Sequence, residues 1–152
     1  MRKLDVRGSL GMQVFLTSKS LERLAEVEIK NRLSLTGSKW KIILALNLGD
    51  GLSQKELAEK IYIDASTLVP IIDKMEQSGL VERKPDAKDR RNNRIFLTKK
   101  SESVVDSIIE IILKVRKIVY KGLSQEEVES ARITLKKITD NADDATKKIM
   151  SD

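Results

Sequence analysis

Residues 80–98 read LVERKPDAKDRRNNRIFLT. Two apolar-rich, strand-like runs, Leu80–Arg83 and Asn93–Leu97, flank a tip, KPDAKDRRN, crowded with charge. From Arg83 to Lys100 eight Lys or Arg stand against two Asp, a surplus of six that equals the formal +6 of the whole chain. A cationic hairpin projecting from a helical body fits a wing that reaches for phosphate and a groove. The plainer reading of an isolated charge run is a solvated hairpin. Here the sequence on either side decides against it.

Immediately upstream, Ser53-Gln54-Lys55-Glu56 has the form of a capping box: the Ser hydroxyl takes one orphan amide and the Glu reaches back to another. The short helix it starts, Gln54–Ile61, is expected to bury Leu57, Ala58 and Ile61. Tyr62-Ile63 makes a turn, and Asp64 caps a further helix that runs to Gln77 and stops at Ser78-Gly79. Its apolar face is Leu68, Ile71, Ile72 and Met75. Two short helices, a tight turn and a hairpin make a winged helix-turn-helix. Further upstream, Leu10–Leu33 has apolar residues at helical spacing. Thr36 is placed to cap a helix over Gly37–Leu48, with Trp40, Ile43, Leu44 and Leu48 on one face. Gly49-Asp50-Gly51 ends it, because glycine tolerates a left-handed helix exit.

Downstream, Ser101–Tyr120 carries Val104, Val105, Ile108, Ile109, Ile111, Ile112, Val115, Ile118 and Val119, and Gly122 closes it. A second capping box, Ser124-Gln125-Glu126-Glu127, opens a last helix. There Val128, Ala131, Leu135, Ile138, Ala142, Ala145 and Ile149 alternate steps of three and four, a heptad seam. A small winged domain cannot cover both stripes. A monomeric bundle of the first, fifth and sixth helices is the bland alternative. The fifth helix is apolar around more than half its circumference, which favours a homodimer. The expected fold is therefore mostly α. Residues 1–34 form an N-terminal dimerisation helix, 35–99 the winged domain, and 100–152 the C-terminal dimerisation helices.

Composition removes most chemistry. The 152 residues include no Cys and no His, so thiolate nucleophiles, imidazole bases and the usual zinc, copper and nickel sites are not expected. No phosphate-binding glycine loop occurs, and no carboxylate stands in a catalytic context. The expectation is no enzyme, no catalytic residue, no cofactor and no metal. No run of about eighteen apolar residues calls for a membrane span, and the N-terminus does not read as a secretory signal. The default is a cytoplasmic protein.

The order of elements, from about Leu10 to Ile149, resembles the MarR family of transcription regulators. Leu35-Thr36-x-x-x-Trp40 is similar to the family's L-T-x-x-x-[WF] stretch, and Ser53-Gln54-Lys55-Glu56-Leu57-Ala58 to its T/S-Q-x-E-L-A segment. Ile72-Asp73-Lys74-Met75-Glu76-x-x-Gly79-Leu80-Val81-Glu82-Arg83 follows its passage from recognition helix into wing. Asp86-Ala87-Lys88-Asp89-Arg90-Arg91 resembles the wing signature D-x-R-D-R-R, with Lys88 where Arg is more frequent.

The resemblance implies a two-fold dimer on double-stranded DNA, with half-sites about one turn, roughly 34 Å, apart. It implies that Arg91 enters a narrow minor groove, where negative potential concentrates. Asp89 then holds Arg91 or orients the tip, and Arg90 and Arg94 contact phosphate. It also implies an Asp64–Arg83 ion pair between recognition helix and wing, though Asp64 serves equally well as a plain N-cap. In the recognition helix Ala65, Ser66, Thr67 and Val69 would face bases, with thymine methyls available to Thr67 and Val69. For Ser66 and Thr67, capping is an equal alternative. Pro70 stands where many relatives carry Arg, and it removes a helix donor at a cost of roughly 3 kcal/mol in a helix interior. The wing is then expected to carry more of the discrimination.

Ser38, Lys39, Gln54, Lys55 and Lys74 are expected at phosphates. Trp40 and Tyr62 are the candidates for a pocket that takes a small aromatic or amphipathic effector, as the resemblance implies. For Trp40, plain core is the favoured reading. Together these point to a homodimeric repressor at a pseudo-palindromic operator. A winged-helix protein-interaction module with weak or non-specific DNA binding is the alternative.

Overall fold

The structure, a computed structural model, describes residues 8–87 and 92–151. Helix α1 (Leu10–Leu33) starts where the Ser9 hydroxyl accepts from the Met12 amide, and ends at Ser34 in the left-handed region. Helix α2 (Lys39–Leu48) begins two residues later than expected. Gly37 takes φ +63°, so the chain is still turning there and Thr36 cannot be the cap. Ser38 holds the cap position without a side-chain cap bond. Trp40, Ile42, Ile43, Ala45 and Leu46 are all buried, which is more than one face, because α2 packs on several neighbours. Leu48, expected on the apolar face, is 80% exposed.

The α2 exit also differs from expectation. Gly49 is extended, with φ −171°. The left-handed residue is Gly51, at φ +74°, whose amide donates to the Ile95 carbonyl at 3.0 Å. Strand β1 (Leu52–Ser53) follows, and only the fold reveals it: Leu52 pairs with Ile95 and Ser53 with Arg94.

Helix α3 (Gln54–Ile61) and helix α4 (Ala65–Gln77) form the helix-turn-helix. The hairpin strands are β2 (Val81–Pro85) and β3 (Asn93–Leu97), in a register running from Val81↔Leu97 to Pro85↔Asn93. The sheet is antiparallel in the order β1-β3-β2. The fully buried core draws Ile29 from α1, Ile42, Ile43 and Leu46 from α2, and Leu57 from α3. Leu68, Ile72 and Met75 from α4 join it, as do Val81 and Ile95 from the hairpin. This is a mostly helical winged helix with a small three-stranded sheet.

A short 3₁₀ turn, Lys99–Ser101, leads into α5 (Glu102–Val119). Two compact units divide within α5, residues 1–115 and residues 116–152. In the first, Val105, Ile108, Ile111 and Val115 are buried while Ile109 and Leu113 face out. There α1 and α5 are tied by Lys114 to Glu28 at 2.8 Å. In the second, α6 (Gln125–Ser151) opens with the expected capping box: the Glu127 carboxylate accepts from the Ser124 amide at 2.7 Å, and the Ser124 hydroxyl accepts from the Glu127 amide. None of its described residues is buried, and the seam positions Leu135, Ile138 and Ile149 lie open. Among the described residues no helix is long and apolar enough to cross a membrane.

Candidate nucleic-acid interface

Helix α4 presents Ala65, Ser66, Thr67, Val69 and Pro70 to solvent on its first two turns. Leu68 and Ile72 anchor the opposite face in the core. Lys74, one turn on from Pro70, is exposed as well. Asp64 sits at the N-cap position with extended backbone, but its side chain makes no cap bond. Pro70 lies inside the helix, which nevertheless starts at Ala65 and runs unbroken to Gln77.

Arg83 does not pair with Asp64. Its guanidinium reaches Asp73 Oδ1 at 2.6 Å and Glu76 Oε2 at 2.5 Å, and its backbone amide donates to Glu76 Oε1 at 3.0 Å. The reason is position along α4: Asp73 and Glu76 lie one turn apart on the face where β2 packs, whereas Asp64 is at the far end of the helix. Partial burial alone would lower the Arg83 pKa, but the hydrogen bonds to Asp73 and Glu76 outweigh it and leave the pKa raised. The wing is thus pinned to the recognition helix, through other carboxylates than expected.

Arg94, expected at a phosphate, turns two of its three guanidinium nitrogens into the protein. Its Nε donates to Asp86 Oδ2 at 2.5 Å, and its Nη1 to the Gly51 carbonyl at 2.8 Å and Glu56 Oε2 at 3.3 Å. The hydrogen bond to Asp86 is the main cause that raises the Arg94 pKa. Asp86 is only 8% exposed, and its amide also donates to the Asn92 carbonyl. Glu56 has two duties, since the same carboxylate accepts from the Ser53 amide at 2.7 Å in the capping box. Hydrogen bonds to Ser53 are the largest cause of its lowered pKa, with Arg94 adding to them.

Gln54, Lys55 and Ala65 line one cleft of about 530 Å³ with Ser53, Asp86, Asn92, Asn93 and Arg94. The starts of α3 and α4 and the base of the hairpin therefore meet at a common surface. Ser38 and Lys39, at the start of α2, are not among its described lining residues. Lys88, Asp89, Arg90 and Arg91 lie outside the described residues. From the sequence, Asp86 stands out only within the wing signature, and no site role is expected of Asp86, Asn92 or Asn93. One signal existed: with Lys84 opposite Arg94, Asp86 is the diagonal neighbour of Arg94 on the same hairpin face.

Trp40 and Tyr62 do not form an enclosed pocket. Tyr62 is 83% exposed at φ +56°, where it ends α3. Trp40 is core, with Lys41 over its ring at 5.7 Å and Lys41 bonded in turn to Glu22. The Trp40 indole N–H is buried with no partner among the described residues.

The MarR family model matches residues 35–92, which include α2, α3, α4 and β2. The winged region of this chain is similar to the MarR family. Solved relatives share the architecture over nearly the chain's whole length. The transcriptional regulator PA3341 is 28% identical with a TM-score of 0.83, over 90% of this chain and 99% of that one. A MarR protein from Peptoclostridium difficile is 22% identical with a TM-score of 0.83, over 98% and 97%. A mutant MarR from E. coli, solved in complex with operator DNA, is 22% identical with a TM-score of 0.74, over 85% and 92%. Among these solved relatives, PA3341 is a transcriptional regulator and the E. coli protein is bound to operator DNA.

Proposed function

We propose that this chain is a MarR-family regulator: a cytoplasmic, sequence-specific DNA-binding repressor, and not an enzyme, that acts as a homodimer on a pseudo-palindromic operator. The observation that carries this reading is the pairing of the cationic hairpin with an exposed recognition-helix face. That face offers the hydroxyls of Ser66 and Thr67 and the methyls of Thr67 and Val69 beside the cleft. Hydroxyls bond several base edges, methyls meet the thymine methyl, and cationic wings draw the duplex in. Lys88, Arg90 and Arg91 are assigned to the wing contact, Arg91 to the minor groove, with Asp89 orienting the tip. Ser38, Lys39, Gln54, Lys55 and Lys74 are assigned to phosphates.

The exposed apolar stripes of α5 and α6 support the dimer, since each leaves large aliphatic side chains open to water. In this reading residues 1–34 and 100–152 supply the dimer base and residues 35–99 the DNA-binding domain. The E. coli relative with operator DNA bound shows that this fold accommodates a duplex in another protein.

Selection of binding duplexes from a random pool, followed by footprinting and salt titration, tests the proposal. The expected result is sub-micromolar, competitor-resistant binding to a two-fold site, with log K against log salt falling at a slope near −7 if about eight phosphates are neutralised. Failure to enrich any sequence would remove it.

A further inference from the structure

Arg94 directs its Nε and Nη1 donors inside the protein, to Asp86, the Gly51 carbonyl and Glu56. These acceptors come from three places in the chain: the wing edge, the turn before β1, and the first turn of α3. One guanidinium therefore spans the hairpin base and the capping box of the helix-turn-helix. The planar fork of Arg suits such a junction, because its donors leave in fixed directions that an ammonium cannot reproduce. Charge points the same way: the Arg94 guanidinium sits against two carboxylates, Asp86 and Glu56. The hairpin tip, whose ends Asp86 and Asn92 are joined by a backbone hydrogen bond, springs from this junction.

We propose that Arg94 is a positioning residue that sets the attitude of the wing on α3 and contributes no phosphate contact. This rests on the DNA-binding reading, and it departs from the expectation that Arg94 meets the backbone of the duplex. A wing held at the wrong angle cannot bring its tip to the groove while the recognition helix is seated, so affinity falls although no DNA contact has been deleted.

The test uses the full-length chain and a duplex recovered by selection on the wild-type protein. Affinity is measured across a salt series for Arg94→Met, Arg94→Lys and Asp86→Asn, at a temperature where melts show each variant fully folded. Arg94→Met should weaken binding about tenfold with the salt slope unchanged. Arg94→Lys should fail to restore affinity, although it keeps the charge. Asp86→Asn, which removes a negative charge near the duplex, should weaken binding, where simple charge would tighten it.

A slope shallower by about 2 in Arg94→Met, one phosphate per subunit, would overturn the proposal. So would rescue by Lys, tighter binding by Asp86→Asn, or wild-type affinity in all three variants. Each of those outcomes leaves DNA binding intact. A wild-type chain that recovers no duplex fails earlier, and removes the functional reading itself.

Discussion

At Gly51 the backbone sits at φ +74°, and a Cβ there would lie 2.8 Å from Phe96 Cε1 and 2.9 Å from Cζ. Gly51→Ala should therefore cost about 1–3 kcal/mol, from left-handed strain plus a forced shift of the ring. Thermal melts should show a midpoint lower by several degrees, and a wild-type midpoint would contradict the geometry. Pro70 makes the opposite case. It stands exposed in the second turn of α4 and denies the Ser66 carbonyl its usual helical donor. Pro70→Ala should raise stability by about 1–3 kcal/mol, read as a higher denaturant midpoint at constant m-value. A lower midpoint would mean the proline is needed by the local backbone. Pairings were the least legible residue-scale feature. Arg83 stood out as a helix-to-wing tie, yet its partners are Asp73 and Glu76, because a pairing across 7 to 10 residues depends on how β2 crosses α4. Arg94 looked like a phosphate ligand for the same reason: its neighbours along the chain are basic, while its partners in space are acidic.

Elements with local causes were legible before any packing was known. The limits of α1 and α3, both capping boxes and strand β3 follow from caps and periodicity read within one segment. Strand β1 was not, since two residues become a strand only through pairing with Ile95 and Arg94 more than 40 positions away. The α2 start was misplaced because Thr36 fits a cap by type, while Gly37 takes the positive φ that keeps the chain out of a helix. The capping box of α3 also makes a pH prediction. The Glu56 pKa is depressed in the folded chain, so its contribution to stability is present above the unfolded value, roughly pH 4.3, and is lost as pH falls through the lower folded value. Glu56→Gln should thus melt below wild type near neutrality, with the gap closing at acid pH. A gap that stays constant from neutral to acid would show that the carboxylate charge is not what the cap uses.

For the molecule as a whole, apolar surface is distributed unevenly. The winged core is closed, while Phe15 and Leu16 on α1, Leu113 and Ile118 on α5, and Ile133, Leu135 and Ile138 on α6 remain exposed. If a second copy covers them, Leu113→Glu or Ile138→Glu should shift sedimentation from two subunits to one at micromolar concentration, and DNA affinity should fall with it. A wild-type chain that already sediments as one subunit would contradict the dimer. The sequence pattern pointed to these stripes through heptad spacing, but a periodic stripe does not name what covers it. Trp40 supplies a way to watch part of this molecule separately. It is the chain's only tryptophan, and it is buried in the unit formed by residues 1–115. Its fluorescence should be blue-shifted when that unit is folded and move red when water reaches the indole. Residues 116–152 have no such fluorophore, so emission and helical circular dichroism followed in one titration would reveal whether the long terminal helix melts in step with the rest or on its own schedule.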